Sequence, residues 1–410
     1  MTARVYLRTF GCRANQYDSE IVRSLVESAG GVIVDSPEDA TVAVFNSCAV
    51  TAAAEADLRR SIRQAARANG ELETLVMGCA AARDDGSIAG LPSVRHVVPG
   101  AEMPLIAGAL GIPAPHLATT GRQTATRALL RIQDGCDEHC TFCATTLARG
   151  NNRSRPEQEI IDEALRLAEH HPEIVLTGIH IGSYGSDTGS TLGRLVERLV
   201  KEVPVVRFRL SSLEATEVDE RLSELFGEPR RLAPHLHAPL QSGSDRLLKR
   251  MGRHWYTARS YRQAVEKLAA HNDTFALGAD VIAGFPGETQ TDHRNTCDLI
   301  RDLPFTYLHV FPFSQRPGTA AVRLPEHVDS SVTRARAAEL RALGEEKRRA
   351  HVAERLGQPA DVVVVRGDIR EGLTEDYLEA RLDSDLPRGT RVDTRLVFRD
   401  GRLVATLDNA

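Results

Sequence analysis

No run of apolar residues in this 410-residue chain approaches the length a helix needs to cross a bilayer, which leaves no transmembrane reading. The opening segment, MTARVYLRTF, lacks the apolar stretch of a signal peptide, so a cytoplasmic protein with reduced cysteines and no membrane partner is expected. A surplus of positive charge is also missing: 51 Lys and Arg against 56 Asp and Glu give a formal net charge of −5 and a pI near 6.3. Global attraction to nucleic acid is thereby excluded, and any RNA contact must come from local patches. The seven cysteines are an odd number in a chain too long to need covalent staples, which argues against a disulfide framework. Length suits two to four domains, each able to bury its own core.

One further absence is local. Cys136, Cys140 and Cys143 stand in CDEHCTFC as a C-x3-C-x2-C knot with no fourth cysteine nearby. A four-cysteine ferredoxin-type cluster only carries electrons, whereas three ligands on four irons leave one iron open to a substrate. The knot therefore reads as a catalytic iron-sulfur site. Zinc is the competing reading, with His139 completing a tetrahedral set. Against it, a histidine adjacent to Cys140 would have to fold sharply back, and structural zinc sites usually arrive as two separated pairs.

From residue 1 to about 112, strand-like runs (RVYLRTF, TVAVFN, TLVMG, RHVVPG) alternate with helical patterns near Ser19 to Ala29 and Ala52 to Ala68, the rhythm of an α/β domain with a parallel sheet. Cys12, Cys48 and Cys79 each follow one of these strands. Ligands of open parallel sheets gather beyond the carboxyl ends of the strands, so three loops would bring these thiols to one crevice. Singly, each also reads as a small buried apolar residue; together they point to a second cluster with three protein ligands. Residues 113–126 read as a linker.

Over 127–328 the alternation resumes with six strands, ALLRIQD, EIVLTG, VVRFRLSS, PHLHAPL, FALGADVIAG and FTYLHVFPF, and with helices near Glu157 to His170, Leu192 to Lys201, Glu217 to Phe226, Ser244 to Ala270 and Thr289 to Asp302. A partial (β/α)6 barrel is expected, its chemistry on the loops that follow the strands. An arginine-bearing helix over 329–356 (Arg334, Arg336, Arg341, Arg348, Arg349) leads to short strands over 357–410, which suggest a small antiparallel β-barrel. That tail reads either as an RNA-gripping module or as a solvated helix with a structural cap, and the near balance of acids and bases favours the second.

Together, GCRANQYDSE, the knot in RIQDGCDEHCTFC, LTGIHIGSYG, HLHAPLQSGSDRLLKRM, DVIAGFPGET, HVFPFSQRPGT and the terminal strands resemble the radical S-adenosylmethionine methylthiotransferase family along essentially the whole chain. Asn15-Gln16-Tyr17-Asp18 looks most like the MtaB-type branch. The resemblance implies methylthiolation of C2 of N6-threonylcarbamoyladenosine at tRNA position 37, with the anticodon stem-loop and an electron donor as partners and a TRAM-like terminal barrel. It implies two 4Fe-4S clusters and S-adenosyl-L-methionine as cofactors. Cys136, Cys140 and Cys143 would hold the cluster that cleaves S-adenosylmethionine to a 5'-deoxyadenosyl radical, and Cys12, Cys48 and Cys79 the cluster that presents the sulfur.

Several rim residues carry two readings each. Gly178 lets backbone pass close to S-adenosylmethionine or makes an ordinary turn. Glu214 bonds the ribose or amino group or leads into a capped helix. Gln241 and Ser244 offer polar groups to the cofactor, with Ser244 equally a helix cap. Phe285 stacks on an adenine or shapes a turn. Arg149 and Arg153 meet RNA phosphates or lie in a solvated loop. Cys297, within a helical pattern, reads as packing. ATTLARG departs from the apolar-apolar-Pro-Tyr run of close relatives. The competing functions are methylthiolation of another tRNA adenosine or of a ribosomal-protein aspartate, and a non-catalytic iron-sulfur electron-transfer or RNA-binding protein.

Overall fold

The computed structural model describes residues 3–49, 52–112, 121–228, 230–270 and 274–407. Residues 113–120 of the expected linker lie outside these.

The first unit runs β1 (Arg4–Thr9), α1 (Arg13–Ser28), β2 (Val32–Val34), β3 (Val42–Ser47), α2 (Ala52–Ala68), β4 (Glu73–Gly78), β5 (Val94–Pro99) and α3 (Met103–Ala109). Its five strands form a sheet in the order β2-β1-β3-β4-β5, with every pairing parallel. Alternation along the strands explains the two layers. Val44, Leu75 and Met77 pack with Val22 and Val26 of α1 and Ile106 of α3, whereas Ala43, Phe45 and Val76 pack with Leu58 and Ile62 of α2. Helix α1 begins six residues before the expected Ser19. Its first turns bury Asn15, Tyr17 and Asp18, a polar inner face that a hydrophobic period does not reveal.

The central unit contains β6 (Arg127–Arg131), a short ribbon of β7 (Gln133–Asp134) and β8 (Arg153–Ser154) around α4 (Thr145–Arg149), then α5 (Glu157–Ala168), β9 (Glu173–Thr177), α6 (Leu192–Glu202), β10 (Arg207–Leu210), α7 (Glu220–Leu225), β11 (His235–His237), α8 (Asp245–Arg250), α9 (Ala258–Ala269), β12 (Ala276–Ala283), α10 (Gln290–Asp302) and β13 (Phe305–Pro312). Two parallel three-stranded sheets, β10-β9-β6 and β11-β12-β13, meet through isolated bridges Phe208↔Leu232 and Ser212↔His237. The result is a six-stranded partial barrel with β6 and β13 as its unpaired ends. The expected single helix from Ser244 to Ala270 is two helices. Gly252, at φ +81, ends α8 in a left-handed turn in which Arg253 N–H bonds Leu248 O at 2.9 Å, a helix-terminating pattern that glycine favours.

Helix α11 (Ser330–Arg355) then leads to β14 (Pro359–Arg366), β15 (Glu371–Leu373), β16 (Glu379–Leu382), β17 (Arg391–Arg399) and β18 (Arg402–Leu407), which close as β14-β15-β16-β18-β17. The barrel is not wholly antiparallel as expected: β16 and β18 pair in parallel, because the long β17 returns antiparallel to β18 and carries that strand back alongside β16. Arg336, expected on a basic face, is buried and pairs with Glu288 at 2.8 Å, fastening α11 to the central barrel. A charged set joins the two barrels. Glu173 binds Arg207 at 2.7 Å and Arg209 at 2.8 Å, all three fully buried. Arg207 also donates to Asp361 O, and Arg209 to Thr374 O and Glu375 O. Burial alone would push the Glu173 carboxyl up, yet the two guanidinium groups hold it well below the usual carboxylate range.

Candidate active site between two cysteine trios

The ribbon of β7 and β8 cinches the knot loop at its neck, where Cys136 N–H bonds Gly150 O at 3.0 Å. Gly135 is required there: at φ +74 its backbone passes so close that an added Cβ would sit 1.8 Å from Asn151 O. From below, Thr141 N–H bonds Met251 O at 2.8 Å, and Phe142 packs edge-on against Phe285. Cys136 Sγ accepts from Glu138 N–H at 3.4 Å and Cys143 Sγ from Thr145 N–H at 3.3 Å. Cys140 Sγ accepts from Arg253 Nη1 at 3.4 Å. Burial pushes the Cys140 thiol up to about 12, opposed by Arg253. Glu214 backs Arg253 and also accepts from Trp255 Nε1. His180 Nδ1 stands 3.8 Å from Cys136 Sγ while its Nε2 pairs with Glu217 at 2.7 Å. Burial would lower this imidazole, but the bonds to Cys136 and Glu217 raise it to about 10.

The other three thiols follow β1, β3 and β4, and the Asn15 carboxamide holds their loops together. Its Nδ2 donates to Phe10 O at 2.9 Å and Ser47 O at 2.8 Å. Its Oδ1 lies 3.9 Å from Cys12 Sγ and 3.8 Å from Cys79 Sγ. Cys48 joins them across Gly11, whose added Cβ would fall 2.6 Å from Cys48 Sγ. Cys48 and Cys79 are buried and Cys12 is exposed, so the trio opens on one side. Burial pushes the Cys79 thiol up to about 11, against the pull of Arg149.

Arg149 joins the trios. Lying at the end of α4, directly after the knot, it donates from Nε to Cys79 Sγ at 3.4 Å and from Nη2 to Asn15 Oδ1 at 2.7 Å, and it pairs with Asp18 at 2.8 Å and Asp134 at 3.3 Å. Nearby, Tyr17 OH bonds Glu163, which pairs with Arg155 at 2.8 Å. The NQYD segment thus builds the junction between the first unit and the barrel.

Spacing and donors test which group the thiols suit. Around one tetrahedral zinc, with Zn–S of about 2.3 Å, thiolates stand roughly 3.8 Å apart. Among the described residues, the groups with three ligand atoms all within 4.8 Å of one another are His237–Asp280–His309 and His293–Cys297–Glu339; neither holds one of the six cysteines. His139, which a zinc set would need, is exposed. Both trios are therefore too wide for a single ion. N–H donors on Cys79, Cys136, Cys140 and Cys143 fit sulfurs that share the charge of an iron-sulfur cluster.

Several expected rim residues are placed differently. Arg149 is 5 % exposed and its guanidinium is taken up by Asp18, Asp134 and Asn15, so it is no phosphate contact. Arg153 is exposed, with its Nη2 on Arg149 O at 3.1 Å. Phe285 is fully buried among Leu247, Met251 and Ile282, where it supports the knot and cannot face an adenine. Ser244 occupies the N-cap position of α8 but donates its hydroxyl to Asp292 at 2.6 Å, which turns it from the rim into the packing against α10. Gly178 makes room for Gln133, whose Oε1 would lie 2.8 Å from an added Cβ. Gln241 holds a left-handed φ of 58 beside β12, its N–H on Asp280 O at 2.8 Å. Cys297 is buried, 3.5 Å from His293 Nε2. Sequence reasoning missed Arg253 and His180; Gly252 ending a helix one residue before an arginine was the available signal for the first. It also missed Arg316, 5 % exposed, whose guanidinium burial destabilises while Glu55 and Cys48 favour it.

Two family profiles match the chain, Uncharacterized protein family UPF0004 over residues 4–100 and the Radical SAM superfamily over 130–300. The threonylcarbamoyladenosine tRNA methylthiotransferase MtaB of Rickettsia prowazekii is 36% identical over 407 residues, covering 95% of this chain and 94% of that protein. The tRNA-2-methylthio-N(6)-dimethylallyladenosine synthase of Methylobacillus flagellatus is 30% identical, covering 96% and 94%. Among solved structures, the radical S-adenosylmethionine methyltransferase TsrM of Kitasatospora setae, with cobalamin and a [4Fe-4S] cluster bound, shares the fold at a TM-score of 0.60 and 15% identity, over 78% of this chain and 77% of that one. With two cysteine trios at one junction and similarity running the length of both chains, this protein belongs to the radical S-adenosylmethionine methylthiotransferase family.

Proposed function

We propose that the protein methylthiolates C2 of N6-threonylcarbamoyladenosine at position 37 of tRNA, with Cys136, Cys140 and Cys143 holding the 4Fe-4S cluster that meets S-adenosylmethionine and Cys12, Cys48 and Cys79 holding the second. The observation that carries this reading is that Arg149, on the helix directly after the knot, donates to Cys79 and to the Asn15 carboxamide that touches Cys12, which supports two neighbouring sites, as a sulfur can reach a substrate carbon only if both open on one chamber. When bound, the clusters and S-adenosylmethionine supply one-electron cleavage of the sulfonium and a transferable sulfur. The chain's part is to orient and screen. Arg253, steadied by Glu214, directs a cation at Cys140, and His180, held by Glu217, sets its Nδ1 3.8 Å from Cys136 Sγ.

Substrate choice follows the 36%-identical relative, whose name specifies threonylcarbamoyladenosine. An open groove of about 1090 Å³ between α11 and the terminal barrel offers RNA hydrogen-bonding groups with little net attraction, since Arg348, Arg349, Arg370, Arg381 and Arg402 line it together with Glu345, Asp368, Glu371 and Glu379. Arg153 adds an exposed cation near the knot. Units over 1–112, 127–328 and 357–410, a one-electron donor and a cytoplasmic setting complete the proposal. No helix among the described residues is long and apolar enough to cross a membrane.

The test is anaerobic reconstitution followed by reaction with an anticodon stem-loop carrying the modified adenosine. Wild type is expected to give the methylthio product by mass spectrometry. Cys140→Ala is expected to lose 5'-deoxyadenosine formation, and Cys48→Ala to keep that formation while losing product. A methylthio product from Cys48→Ala would sink the two-cluster division.

A further inference from the structure

Three lumen-facing strands of the central barrel carry a polar network that the cysteine sites do not use. Tyr307, His309 and Phe311 alternate along β13 with Leu308 and Val310, which pack against the core. His235 and His237 come from β11 and Asp280 from β12. Gly278 is needed for this packing, because an added Cβ would fall 2.0 Å from the Tyr307 ring. The bonds form one directed chain. His235 Nε2 and His237 Nδ1 both meet Tyr307 OH, at 2.9 and 3.1 Å. His237 Nε2 meets Asp280 Oδ1 at 3.0 Å, and His309 Nδ1 meets the same oxygen at 3.4 Å. One proton per group satisfies it: His235 donates to Tyr307, Tyr307 to His237, and His237 and His309 to Asp280. Burial alone would push the Asp280 carboxyl up, but the bonds from His237 and His309 hold it below the ordinary range.

The closed end of this chain is sealed. Tyr377 of the terminal barrel stacks on His235 at 4.4 Å and accepts from Arg13 at 3.0 Å, and Arg13 directly follows Cys12. The other end is open. His309 is 56% exposed and Phe311 41% exposed, both on the edge strand that leaves the barrel unclosed. Asp280 Oδ2 is left over after both imidazoles have bonded Oδ1. A wall with an aromatic face, an imidazole backed by a carboxylate and a spare carboxylate oxygen therefore lines the open end of the lumen.

The relatives differ in what they carry on N6 of the adenine: their names specify a threonylcarbamoyl group in one case and a dimethylallyl group in the other. The first has N–H and O–H donors and a carboxylate; the second has no hydrogen-bonding atom. Resting on the function proposed above, we propose that His309, Asp280 and Phe311 form the receptor for the N6-threonylcarbamoyl substituent. Asp280 Oδ2 accepts from one of the substituent's donors, the threonyl hydroxyl or the carbamoyl N–H, His309 Nε2 accepts from the other, and Phe311 covers the purine edge. An apolar substituent would desolvate Asp280 Oδ2 and His309 Nε2 without giving either a partner, and sites built around such groups reject analogues that lack the partner.

The experiment uses reconstituted holoenzyme and three synthetic anticodon stem-loops, bearing N6-threonylcarbamoyl, N6-dimethylallyl or unmodified adenosine, with Kd from fluorescence anisotropy and kcat/KM from product mass spectrometry. His309→Ala, on an exposed side chain, is expected to keep iron content and melting temperature. It should weaken binding of the threonylcarbamoyl RNA by about tenfold or more with little change for the unmodified RNA, so that the preference collapses. Asp280→Asn should do the same. Equal losses on all three RNAs, or an unchanged preference, overturn the receptor. A stoichiometric non-iron metal that is present in wild type and lost in His309→Ala also overturns it, because the trio would then be a metal site. A wild type that turns over only the dimethylallyl or unmodified RNA sinks the proposed substrate itself, a result separable from the variants' behaviour.

Discussion

At Arg149 a single guanidinium meets Asp18, Asp134, Asn15 and the Cys79 thiol. Asp18 is fully buried and its other cation, Arg131, is partly exposed, so loss of Arg149 strands much of a buried negative charge. Arg149→Met is expected to cost about 3–5 kcal/mol, the range for breaking a buried pair from one side, read as a fall in the urea midpoint. It should also lower the iron retained by the first unit. An unchanged midpoint and full iron content would show that the junction does not depend on it. The knot stood out in the sequence because three thiols at close fixed spacing have few other uses, and Cys12, Cys48 and Cys79 because each follows a strand of the first sheet. Arg149 was misread because an arginine after a loop looks the same whether it faces phosphate or a buried aspartate. Arg253 was harder to place, because its partner Glu214 lies 39 residues away and only the helix-ending Gly252 before it gave a sign.

Among the elements, strand periods and turn residues located the six strands of the central barrel, while the three-residue β15 of the terminal barrel is too short to show a period. Less legible were elements whose inner face is polar, such as the start of α1, and the break between α8 and α9. In β9 and β10 the inward residues are Glu173, Arg207 and Arg209, charges that a hydrophobic pattern would place outside. Their pairing makes stability depend on pH with a definite sign. Glu173 has a folded pKa well below the usual value, so its contribution is complete above the unfolded carboxylate pKa of about 4.3. That contribution is lost as pH falls through the depressed folded value. Glu173→Gln removes it at all pH. Denaturant midpoints from pH 7 down to pH 3 are therefore expected to differ most between wild type and Glu173→Gln at neutral pH and to converge in acid. A gap that widens in acid would contradict this account.

Over the whole molecule, charge is placed locally. A chain with net charge −5 buries arginines at the junctions and leaves others along one groove, which composition alone does not show. The terminal barrel, which the sequence presented as an appended module, supplies Asp361 O, Thr374 O and Glu375 O to Arg207 and Arg209 and stacks Tyr377 on His235. Removing residues 357–410 would take away these acceptors and also the Asp361 carboxylate, 3.1 Å from Arg207, leaving two arginines against one glutamate at the opened end of the lumen. Buried donors stripped of their partners cost about 1–3 kcal/mol each, more than a marginally stable domain tolerates in number. The truncated chain is therefore expected to melt well below wild type or to aggregate, and to lose S-adenosylmethionine cleavage along with RNA binding. A separable RNA-gripping module predicts the opposite: a truncated protein with wild-type melting and cleavage and a defect confined to RNA affinity. Thermal melts and 5'-deoxyadenosine formation in the absence of RNA distinguish the two, because a lumen whose floor is the terminal barrel cannot keep its geometry when that barrel is gone.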